Sequence, residues 1–66
     1  MIRFESMPFT DGSEIVIGRS DNVLGQNGVN QIALDTNRAT GKTVIVSDGD
    51  STVGMAQNGA LLEAEV

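Results

Sequence analysis

Apolar positions along this chain fall in short bursts of Ile, Val, Leu and Met, separated by residue pairs suited to reversing the backbone. Asp11-Gly12, Asn27-Gly28, Asp48-Gly49 and Asn58-Gly59 all tolerate positive φ, as tight turns demand. Such a density of turn signals predicts a meander of antiparallel strands. Met1 to Glu5 alternates, with Ile2 and Phe4 on one face and Arg3 and Glu5 on the other. Glu14 to Arg19 holds the β-branched run Ile15-Val16-Ile17, and Gln31 to Asp35 sets Ile32 and Leu34 in phase as a third strand. Thr43 to Ser47 is the strongest strand, β-branched through its apolar part and fit for burial on both faces. The polar segment Thr36 to Gly41 has hairpin length and joins the last two.

Thr52 to Gln57 and Ala60 to Val66 flank Asn58-Gly59 as a closing hairpin. Ala60-Leu61-Leu62-Glu63-Ala64-Glu65 consists of good helix formers, but so short a segment needs tertiary support to be a helix, and a strand is the preferred reading. Residues 20–30 read as an irregular loop anchored by Val23 and Leu24. No repeat, low-complexity tract or linker interrupts the chain. The expectation is a single all-β domain over residues 1–66, a small antiparallel meander or partly open barrel of about five to six short strands. Its core is expected to gather Ile2, Phe4, Ile15, Ile17, Ile32, Leu34, Val44, Val46, Val53 and Met55.

At 66 residues such a domain sits near the lower limit for a self-sufficient core. The chain has no cysteine or histidine to supply a disulfide or a zinc site, and its aromatics are Phe4 and Phe9 alone. Assembly with a neighbour is therefore expected to add stability. Nine acids against four bases (Arg3, Arg19, Arg38 and Lys42) give a net charge of −5, unsuited to a nucleic-acid backbone. The acids are scattered singly, so the charge serves solubility better than mimicry of DNA. No apolar run approaches the roughly 20 residues of a membrane span. The charged, alternating Met1 to Glu5 does not read as a signal peptide.

Candidate chemistry is sparse. Gly41-Lys42-Thr43 lacks the glycine of a phosphate loop, since Thr36 stands five positions before Gly41, and a strand rather than a helix is expected to follow. Asp48-Gly49-Asp50 offers oxygens to a hard cation, but Ser51-Thr52-Val53 continues without the further acids a calcium loop needs. With no histidine, cysteine or tyrosine, a general base would have to be a carboxylate or Lys42, and no pairing singles one out. The expectation is a chain with no catalytic residue, no metal ligand and no cofactor. Glu14 to Asn22 resembles the opening strand of a forkhead-associated phosphopeptide-binding domain. That family next carries a Ser-x-x-His element, which a chain without histidine does not have.

Leu34-Asp35, Gly41-Lys42 opening a strand, Asp48-Gly49, and Val53-Gly54-Met55-Ala56 together resemble the core of the head-decoration, or capsid cement, proteins of tailed bacteriophages. The match runs from Ile32 to Ala56. The resemblance implies a small β-rich structural protein, made in the host cytoplasm and carried on the outer capsid surface of the virion. Its implied partners are the major capsid protein and its own copies in a homo-oligomer, with the trimer a common form. Members of the family commonly add a strand to the capsid protein with an extended N-terminal arm. That role would fall here to Met1, Ile2, Arg3, Phe4 and Glu5, within an arm running to Phe9. The competing expectation is a small acidic inhibitor or adaptor that binds a cationic protein.

Overall fold

A computed structural model describes residues 2–8, 12–21 and 23–65, with the backbone alone for 63–65. Met1, Phe9, Thr10, Asp11, Asn22 and Val66 lie outside the described residues. The chain forms β1 (Ile2–Pro8), β2 (Glu14–Ser20), α1 (Gly25–Thr40), β3 (Thr43–Ser47), β4 (Thr52–Met55) and β5 (Leu61–Glu65). The strands make one open sheet in the order β1-β2-β3-β4-β5. Pairing is antiparallel throughout except between β2 and β3, which run parallel. The fold is thus β-rich but not all-β, and the sheet does not close into a barrel.

The parallel pair explains the helix. Parallel neighbours cannot be joined by a tight turn and need a crossover, usually helical, which α1 supplies. This corrects three expectations together: Gln31 to Asp35 is not a strand, Thr36 to Gly41 is not a hairpin connection, and residues 25–30 are not loop. Asn27-Gly28 makes no turn either, because both residues lie inside α1. Val23 and Leu24 precede the helix as exposed side chains rather than anchors, Val23 at 69% exposure.

The helix holds because its inward stripe is apolar. Val29, Ala33 and Asn37, spaced four apart, are buried, and Ile32 and Leu34 pack at the margin. Gly41, at φ 68°, stops the helix in the left-handed conformation, its N–H donating to the Asn37 carbonyl over 2.8 Å.

α1 packs on β3 and β4. The core joins Val16, Val29, Ala33, Val44, Val46, Val53 and Met55, with Ile2 alongside. Five side chains expected inside are less buried than expected. Phe4 is exposed, and Ile2, Ile17, Ile32 and Leu34 are half-buried. The reason is coverage: one helix shields two central strands on one face, and the opposite face of the sheet carries no layer among the described residues. Ile45 faces that uncovered side half-buried, so β3 is fully buried on one face only. Ile15 is on the same side yet buried, between its cross-strand neighbours Met7 and Thr43.

The closing hairpin forms as expected. Gly59 turns at φ 84°, Ala56 and Ala60 pair across the turn, and Asn58 Oδ1 accepts from the Ala60 N–H. One strand residue is gained at the Gly54/Met55 register shift, which bulges β5 at Leu62.

Candidate docking edge

Two polar side chains, Asp48 and Asn37, fix the helix to the sheet. Asp48 leaves β3 at Ser47 and turns its carboxylate back under the helix. Its Oδ2 accepts from the N–H groups of Leu24 and Gly25 at the start of α1, and Oδ1 accepts from Asp50 and Ser51 over 2.9 and 2.7 Å. These backbone donors, first those of Ser51 and Asp50, lower its carboxyl from an ordinary 3.8 to about 2. No residue of the helix itself caps that end, so a carboxylate from the β3–β4 turn does so.

With both oxygens engaged by N–H groups, Asp48 has little left to give a cation. No cluster of acids fit for a metal occurs among the described residues. The same carboxylate occupies the helix N-terminus where a phosphate would otherwise bind. Asn37 is the second clamp. Its Nδ2 donates to the carbonyls of Lys42 and Ala56 over 2.8 and 2.7 Å, tying the helix end to the start of β3 and the end of β4. Gly41-Lys42-Thr43 follows a helix and opens β3, the reverse of a phosphate loop, and Lys42 faces Glu14 at 3.4 Å.

What remains open is the β1 edge. Ile2 to Pro8 is exposed along nearly its whole length and pairs with β2 residue for residue, without a bulge. Its second side meets no strand among the described residues. The segment expected to be an arm is thus an edge strand of the sheet. Phe4 lies on the helix-side face, where its ring covers Gly18: a Cβ at Gly18 would come within 2.7 Å of Phe4 Cε1. Met7 is exposed on the opposite face.

Arg3 and Arg19 stand directly opposite each other across β1 and β2. Like charges so placed repel. Arg3 reaches Asp21 at a long 3.4 Å, in full solvent, which offsets little of that cost. A concavity of about 370 Å³ is lined by Arg3, Phe4, Glu5 and Arg19. Of the expected partner-binding residues, Ile2, Arg3, Phe4 and Glu5 therefore lie on this edge, and Met1 is outside the described residues. Sequence reading missed Arg19. Its signal, a basic residue in phase with Arg3 on the next strand, appears only once the β1–β2 register is known.

The other edge is built differently. β5 presents Leu61 and Leu62 to solvent, but its bulge bends the strand and interrupts the ladder. Compared with known proteins, the chain matches no family model, no curated protein and no solved structure.

Proposed function

We propose that this chain is a non-catalytic structural module that docks on a viral capsid surface as a decoration or cement protein, its partners being the major capsid protein and further copies of itself. It would be made in the host cytoplasm and carried on the outside of the virion. One observation carries the reading as a docking module: β1 is a seven-residue edge strand without a bulge whose outer side meets no strand among the described residues, with Phe4 and Met7 exposed on its two faces. An edge of that kind is normally guarded, because it templates the addition of another strand. Here Pro8 closes only its far end. Added strands bind through main-chain hydrogen bonds and gain specificity from alternate side chains, which suits a protein that must attach and needs no chemistry. The capsid as destination rests on the resemblance of Ile32 to Ala56 to cement proteins.

The competing adaptor reading has an acidic surface seek a cationic partner. The open edge argues against it, since two of the chain's four bases, Arg3 and Arg19, stand there. Peptide mass spectrometry of purified virus particles that encode this chain tests the proposal. Copies in stoichiometry near that of the coat protein support it, and absence from the particles overturns it.

A further inference from the structure

We infer that the neighbour taken by β1 is β1 of a second copy, antiparallel about a two-fold axis through Phe4, so that two five-stranded sheets join edge to edge. This rests on the reading of β1 as the docking edge and says what occupies it.

The register follows from strand geometry. Two identical strands laid side by side and antiparallel are related by an axis normal to the sheet, and directly opposed residues share a face. Only a few registers satisfy this within Ile2 to Pro8, and the side chains discriminate among them. An axis at Arg3 opposes Arg3 to itself. An axis at Glu5 opposes Glu5 to itself and brings Pro8, which has no N–H, into the ladder opposite Ile2. An axis at Ser6 again pairs Pro8 and leaves Arg3 without an opposite charge. The axis at Phe4 sets Arg3 opposite Glu5 twice, Ile2 opposite Ser6 twice and Phe4 opposite Phe4, with Pro8 beyond the paired run.

Three further features of the edge agree with this register. Arg3 has Arg19 on its inner side, and the second copy would place Glu5 on its outer side, giving the like-charged pair an opposite charge. The concavity lined by Arg3, Phe4, Glu5 and Arg19 adjoins Phe4, the residue placed at the axis. The helix packs on β3 and β4, two strands inward from the edge, so neither copy's helix obstructs the other.

Sedimentation of the full chain over a concentration series, with thermal unfolding to verify the fold, decides the matter. The expected result is a monomer–dimer equilibrium. Arg3→Glu and Glu5→Arg should each weaken it by about tenfold, since each substitution opposes like charges at two symmetric places. The double variant carrying both should restore it. Hydrogen exchange should show the outward β1 amides gaining protection as the dimer forms. A monomer at every concentration, a trimer, single variants that dimerise like the unmodified chain, or a double variant that stays weak would each overturn the inference. A monomeric chain still found on virus particles would leave the docking function standing. A dimer of this pattern absent from particles would remove the capsid and keep the dimer.

Discussion

The α1–β3–β4 half and the β1–β2 ribbon share one sheet but hold together by different means. In the first, Val44, Val46 and Val53 are wholly buried beneath Val29 and Ala33, Asp48 accepts from two N–H groups at the start of the helix, and Asn37 near its end donates to carbonyls beside β3 and β4. In the second, most of β1 is exposed, Phe4 lies over a glycine rather than in a core, and two arginines face each other in solvent. The contrast teaches that the packed core lies in one region and the exposed edge in another, and under the proposed function attachment falls to the second. Substitutions in the first should unfold the protein, and substitutions at the edge should spare the fold and change what it holds.

The largest expected effect comes from Val46→Asp, which buries an unpaired carboxylate beneath the helix. It should cost more than about 4 kcal/mol and abolish cooperative thermal unfolding. Ile45→Asp, one residue along on the uncovered face, should leave a folded protein with a lower midpoint. Equal damage at both sites would show that something covers the second face.

Next comes Asp48→Asn, which weakens the acceptors for four N–H groups and should lower the unfolding midpoint at neutral pH by about 10 °C or more. Because the folded carboxyl titrates near 2 against an ordinary 3.8, its contribution is whole above about pH 4 and drains away as the pH falls toward 2. The Asn variant should lack that portion of the acid-induced loss. A midpoint that falls as steeply with acid in the variant as in the parent would mean the carboxylate does not supply it.

Asn37→Ala leaves two carbonyls short of a donor and should cost about 1–3 kcal/mol by denaturant titration, with Lys42 and Ala56 the residues freed. The smallest effect on folding is expected from Phe4→Ser. A side chain already half exposed should cost about 1 kcal/mol, while association through β1 should suffer visibly in sedimentation.

Local signals locate the five strands of the sheet, although Ile32 and Leu34 alternate just as locally and lie in α1. Ile2 and Phe4 alternate with Arg3 and Glu5, the Thr43 to Ser47 run is β-branched, and Asn58-Gly59 turns where it should. The helix was misread because its weak formers hide its period. Asn27, Gly28, Asn30, Thr36 and Asn37 have low propensity, and Asn27-Gly28 imitates a hairpin turn. Val29, Ile32, Ala33, Thr36 and Asn37 nonetheless follow the spacing of an inward helical stripe, a signal available to a reader willing to place asparagine in a core. At Gly28 a side chain would crowd the preceding turn, since a Cβ there would meet Leu24 Cβ at 2.8 Å.

Read alone, the amino acids specify the reversals at Asp48-Gly49 and Asn58-Gly59, the alternation of β1, and that histidine and cysteine chemistry is absent; these depend on near neighbours or on composition. The folded chain alone decides that residues 25–40 are helical, because α1 takes its cap from Asp48, 23 and 24 positions away, and its burial from β3 and β4. It also decides which edge stays open and that Arg19 stands beside Arg3 there. The β1–β2 register that sets Arg19 beside Arg3 exists only once the two strands have paired.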